Sequence, residues 1–239
     1  MTRHRIVQVL LVVSASLTAP TLRAQCVPAV QRLVTGREYD KARTELEAQF
    51  KRAPNNDAAM ECMGRLLLEQ GESGDAVEWL EKAVKLNGKS AQHHLWLGLA
   101  LRAEGGKAGM LRAAGFVGRM KTELEQALVL DPKLVEARYA LLQFYAQAPA
   151  MMGGSIPKAR EQAAELLKLN PIRGHIGYGF IAEQEKDYAA AEKEFLAAIA
   201  ARPDSDVTYS AAGSFYRRRE RWADAISMYE KQLKTMAKD

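Results

Sequence analysis

Cysteine, histidine, strand-forming segments and charge of one sign are what this sequence has least of. Two cysteines in 239 residues are too few for a disulfide-dense scaffold or an all-cysteine zinc site. Beyond the first 24 residues there are three histidines, His93, His94 and His175. Adjacent helix positions point in different directions, so His93 and His94 cannot share a metal without distortion. Basic and acidic residues nearly balance, 34 against 29, and no basic stripe stands out, which argues against nucleic acid as a partner. Gly105-Gly106-Lys107 lacks the spacing of a phosphate loop, and Gly153-Gly154-Ser155 lacks the flanking residues of a nucleophile elbow. No enzyme, cofactor or metal site is expected from these residues.

What is present begins with a leader. Arg3, His4 and Arg5 form a basic start, and the mostly apolar stretch Ile6 to Leu17 is shorter than the ~20 residues a spanning helix needs. Leu22-Arg23-Ala24 sets a small residue at a cut position, so residues 1–24 read as a signal peptide cleaved after Ala24. Gln25 before Cys26 does not fit a lipidation signal. The expected address is periplasmic or secreted, with no membrane span after cleavage. The leader holds three arginines and no acid, so its removal lowers the formal charge from +5 to +2. For Cys26 and Cys62 two readings stand. They form a disulfide closing a loop of about 35 residues, worth roughly 3 kcal/mol, or both are small apolar helix residues, Cys62 lying at a core-like place in AAMECMGRLLL.

The rest of the chain repeats itself. In DYAAAEKEFLAAIAARP, residues 187–203, Tyr188 opens a helix and Ala191, Phe195 and Ala198 share one face. Two small residues thus bracket a large one, and Pro203 closes the unit. Ala42 to Ala76 and Ala191 to Ala225 are each separated by 34 residues. Gly64, Gly98, Gly179 and Gly213 recur on the first helix of their units. About six helical pairs follow, at about 25–56, 57–90, 91–132, 133–171, 172–203 and 204–239, in one all-α unit from 25 to 239. Two units are longer than the rest. Extra residues at 104–119 are expected to lengthen a second helix, and those at 148–157, APAMMGGSIP, to form a turn ending at Pro157.

These landmarks resemble the tetratricopeptide repeat family over nearly the whole length after the leader. The resemblance implies a right-handed superhelical solenoid whose first helices line a concave groove. The leader, the lengthened third unit and FYAQAP with its Gly-Gly-Ser turn are similar to small secreted bacterial repeat proteins. One subclass of the family grips carboxylates with a Lys/Asn/Asn/Lys/Arg set. The aligned places here hold Val27, Gln31, Cys62, Gln92 and Trp96, so that clamp is absent. His94 and His175 stand where the family packs an aromatic, which places them in the core.

The function implied is a non-catalytic scaffold or assembly factor of the bacterial periplasm that binds a protein or extended peptide in the groove. Family geometry directs Glu61, Leu95, Leu99, Gln143 and Ile176 to that face. Tyr139 and Phe180 are the expected anchors, and Arg65, Arg102 and Arg217 the groups to meet carboxylates. The alternative is a soluble small-molecule-binding component of a transport system. Its pocket would lie under the two insertions, lined by Met110, Phe116, Tyr145 and Met151, while Met152 and Ile156 with these form either a satellite core or an exposed Met-rich surface.

Overall fold

The computed structural model describes residues 28–236. The leader, its expected cleavage site and Cys26 lie outside the described residues. Within them the backbone forms twelve α-helices and one 3-10 turn, with no strand. The helices fall into six antiparallel-connected pairs: α1 (Pro28–Thr35) with α2 (Tyr39–Arg52), α3 (Asp57–Glu69) with α4 (Ser73–Leu86), α5 (Ala91–Lys107) with α6 (Met110–Leu130), α7 (Val135–Gln147) with α8 (Ile156–Leu169), α9 (Pro171–Gln184) with α10 (Tyr188–Ala201), and α11 (Asp206–Arg218) with α12 (Trp222–Met236).

Local chemistry sets the ends. Asn56, Ser90, Ser155, Asn170 and Asp187 each accept a hydrogen bond from a backbone N–H in the first turn of the helix they precede, satisfying donors the helix leaves unpaired. Proline stands in the first turn of α8 and α9. In four of the six pairs the chain reverses between first and second helix through a left-handed residue, Arg37, Gly71, Lys186 or Glu220, with φ between 57° and 79°. Only one of the four is glycine, so three turns carry a side chain where the backbone disfavours it.

The glycines on first helices serve close packing. A Cβ added to Gly64 would stand 2.4 Å from Leu80 Cγ, one on Gly98 2.9 Å from Leu124, and one on Gly213 2.7 Å from the Tyr229 ring. A large residue of each second helix thus sits on bare backbone of the first. Ala42, Ala76, Ala127, Ala159, Ala191, Ala198 and Ala225 are buried alongside, which draws the helices close.

Each first helix also touches the first helix of the next pair, and each second helix touches the following first helix, whereas the backbones of consecutive second helices stay apart. The result is a solenoid curved toward its first helices. On the outer side the splay opens a cleft of about 460 Å³ between α2 and α4. There Phe50 and Trp79 stack at 4.8 Å and Lys82 covers the Trp79 ring at 4.6 Å.

The third pair departs from expectation. The extra residues are shared between both helices, with 17 residues in α5 and 21 in α6 against 13 and 14 in α3 and α4. Gly105 continues α5 rather than turning, and a Cβ there would lie 3.0 Å from Phe116 Cβ. Its bare backbone admits the α6 extension. The second insertion forms the 3-10 turn Ala150–Met152, which rests on α6, and Gly153 follows at φ 94°.

Among the described residues these segments form no separate satellite core. Phe116, Val117 and Ile156 pack on the main core, Met152 is half-buried, and Met151 is 93% exposed. Tyr145 is buried with its hydroxyl donating to Glu125 at 2.9 Å, so it and Met151 do not wall one pocket. The side chain of Met110 lies outside the described residues.

Cys62 is fully buried and disulfide-bonded; Cys26 is the other cysteine of the sequence. Among the described residues no helix is long and apolar enough to cross a membrane.

Candidate functional site

The inner curve is lined by the first helices, and its polar groups gather in two places. In the C-terminal half, α7, α9, α11 and α12 enclose a cleft of about 240 Å³ lined by Tyr139, Arg173, Ile176, Asp206, Ser210 and Ser214, among others. The Arg173 guanidinium lies 5.1 Å from the centre of the Tyr139 ring. Arg102 donates to Gln143 at 2.9 Å, linking α5 to α7. Arg218 donates twice to Glu183, at 2.7 Å from each nitrogen. Burial pushes the Tyr139 hydroxyl pKa up, and the positive charges of Arg173, Arg218 and Arg102 and a hydrogen bond with Gln143 only partly offset this. Tyr139 therefore stays a neutral phenol facing a guanidinium-rich wall.

Of the residues expected to bind, this half brings together Arg102, Tyr139 and Gln143. Leu99 and Phe180 are half-buried and pack against the core, which leaves each only an edge to offer. Arg217 is exposed at the end of α11. Its neighbour Arg218, not singled out from the sequence, makes the paired contact with Glu183, and Arg173 was likewise missed. Leu95, expected on the groove face, is buried, while Ile176, little exposed, does line the cleft.

Arg65 stands apart, in the N-terminal half. Its guanidinium lies 4.4 Å over the Trp96 ring, donates to Gln31 and approaches Glu61 at 3.5 Å. Glu61, expected to line the groove, is instead 1% exposed. It belongs to a cluster centred on His93, which is 0% exposed. His93 Nδ1 lies 2.7 Å from Glu61 Oε2, and Nε2 lies 3.0 Å from Asp57 Oδ2. Asn87 donates to the same Asp57 oxygen at 2.8 Å.

Carboxylates only accept, so His93 donates from both nitrogens as an imidazolium. Burial pulls its pKa down, yet the hydrogen bonds to Glu61 and Asp57 and their charges outweigh it and leave the pKa raised. Burial also acts on Asp57 in the direction of a higher pKa, but its bonds to His93 and Asn87 leave it lowered.

The other two histidines are held in a common way. His94 Nδ1 meets Glu123 at 2.6 Å, and His175 Nδ1 meets Glu194 at 2.8 Å. Both histidines stand four residues before the packing glycine of their first helix, and both glutamates four before a buried alanine of the second. His94 is buried as expected, whereas His175 is half-buried. Among the described residues no group of three or more His, Cys, Asp or Glu side chains is arranged to hold a metal.

Models of the tetratricopeptide repeat match residues 28–91, 63–108, 150–206 and 208–239. No curated protein matches the chain. Solved structures do. A tetratricopeptide repeat protein from Parabacteroides merdae superposes with a TM-score of 0.60 at 18% identity, over 87% of this chain and 77% of that one. A thermophilic protein of the same kind from Thermus thermophilus gives 0.65 at 19% identity, over 83% and 95%. The pilF protein of Pseudomonas aeruginosa gives 0.53 at 17% identity, over 75% and 76%. At these identities the likeness is one of fold.

Proposed function

Because the chain belongs to the tetratricopeptide repeat family, whose repeats bind other proteins or peptides, we propose that it is a non-catalytic scaffold of the bacterial periplasm that holds an extended segment of a partner protein along its inner curve. The observation that carries this reading is the cleft between α7, α9, α11 and α12. It presents one aromatic ring, Tyr139, beside the Arg173 guanidinium, with the Ser210 and Ser214 side chains on its wall. An anchor ring bordered by hydrogen-bond donors is the composition of a peptide-recognition surface. Arg65 over Trp96 and Arg102 beside Gln143 extend the same face toward the N-terminal half. The address rests on the leader and on the disulfide state of Cys62, which suits an oxidising compartment.

The test is affinity capture with crosslinking from the native envelope, using wild-type protein and a Tyr139→Ala, Ser210→Arg variant. Both substitutions fall on the inner curve, so helical circular dichroism should be unchanged while capture of a defined partner drops at least about tenfold. Equal capture by the variant would sink the groove reading. Mass spectrometry of the purified protein should find Gln25 at its N-terminus, and a chain retaining Met1 would overturn the assigned address.

A further inference from the structure

Ten large apolar side chains stand exposed among the described residues, and four of them, Trp222, Ile226, Leu233 and Met236, lie on α12 at 54% to 66% exposure. With half-buried Tyr229 they step along the helix by four, three, four and three residues. That alternation is the seam by which one helix packs on another. The corresponding positions one repeat earlier are Tyr188, Glu192, Phe195 and Ile199 on α10, which α11 covers, and Arg202 just past the end of α10, which stays exposed. Phe195 meets Phe215 at 5.1 Å between ring centres, and Tyr216 donates to Glu192 at 2.9 Å. Where the chain supplies its own cover, one of the four covered positions, Glu192, is charged. On α12 the same position is Ile226.

We propose that α12 is the interface of a homodimer, the seam of one copy packing on the seam of a second. The spacing is self-complementary, as two identical helices require. The residues that flank it are Ala223, Ala225, Gln232 and Glu230, three small or uncharged side chains and a single carboxylate per copy. The exposed parts of the four apolar residues amount to about 500 Å² per copy, and burying both sets reaches the order of 1,000 Å² that a specific interface needs. The interface continues the packing of second helix on following helix seen at α10 and α11, and of its residues only Gln232, at its edge, also lines the inner cleft, which the variants tested below do not touch. It therefore stands or falls separately from the groove reading.

Sedimentation velocity and light scattering on the protein as purified from cells test it. The mass of two chains is expected at about 100 μM, falling toward one chain on dilution, with Trp222 emission shifting to the red as the pair separates. Ile226→Glu with Leu233→Glu should weaken association at least about 100-fold at unchanged helical content, since both side chains are already in solvent. Trp222→Lys alone should weaken it about tenfold. A wild-type mass of one chain at the highest concentration, including one explained by another protein seated on α12, overturns the proposal. So does undiminished dimerisation of the double variant.

Discussion

Replacing His93 by leucine tests the buried cluster most directly, because the substitution removes the cation that Glu61 and Asp57 share. Glu61 is left 1% exposed with Arg65 at 3.5 Å as its remaining charged neighbour, a contact too long for a strong bond. Breaking a buried ion pair from one side costs about 3–5 kcal/mol. For a chain of this size that corresponds to a fall in melting temperature of about 6–20 °C.

Thermal unfolding followed by circular dichroism measures the fall, and hydrogen exchange in α3 and α5 locates it. The double variant His93→Leu, Glu61→Leu removes both charges and should recover much of the loss. The stability contributed by His93 also follows pH. Its folded pKa is raised, so the contribution is fully present below the ordinary histidine value of about 6.5 and is lost as pH rises through the folded value. Asp57 has the opposite sign: its pKa is lowered, so its contribution is present above about pH 4 and lost as pH falls through the folded value. The cluster is thus strongest between those limits. A single variant that melts within about 2 °C of wild type, or a double variant as unstable as the single, would refute the reasoning.

Three further outcomes follow from the packing. Gly64→Ala should destabilise by about 1–3 kcal/mol, because its Cβ would meet Leu80, while Gly106→Ala, in helix α5 with nothing within 4 Å, should be neutral or stabilising by up to about 1 kcal/mol; chemical denaturation separates the two. Lys186→Gly should stabilise by about 1 kcal/mol, since φ there is 64° and glycine adopts that angle without a Cβ clash; an unchanged or lower denaturation midpoint would contradict the turn assignment. Reducing the disulfide at Cys62 should lower stability by about 2–4 kcal/mol, read as the difference in midpoint with and without reductant.

The elements that declared themselves in the sequence are those fixed by one helix and its nearest partner. The Ala191, Phe195, Ala198 face, the recurrent first-helix glycines and the proline start of α8 all depend on short-range spacing, and each stands where the spacing predicts, whereas Pro171, read as closing the fourth unit, opens α9. The third pair was legible only in part. An added stretch with apolar residues implied more helix, but its division between α5 and α6 depends on Phe116 finding the bare backbone of Gly105, a contact across the hairpin. The His93 cluster was hidden for the same reason. Asp57 and Glu61 are one turn apart on α3, yet nothing in the spacing shows that a histidine 32 residues beyond Glu61 arrives between them. Glu61 consequently reads as a groove residue when its charge is turned inward. Arg173 and Arg218 escaped because arginines on exposed helices are common, and only their approach to Tyr139 and Glu183 distinguishes them.

The contact pattern of the solenoid has a kinetic side. Each helix touches its own partner and the adjoining pair, so backbone contacts seldom join residues more than about one repeat apart. Low contact order of this kind goes with rapid folding, because little chain entropy is lost before each contact forms. Any pair of helices can serve as a nucleus, and growth proceeds to its neighbours in either direction. A chain delivered end first can thus assemble pair by pair as it emerges, with α1 and α2 in place before α12 exists.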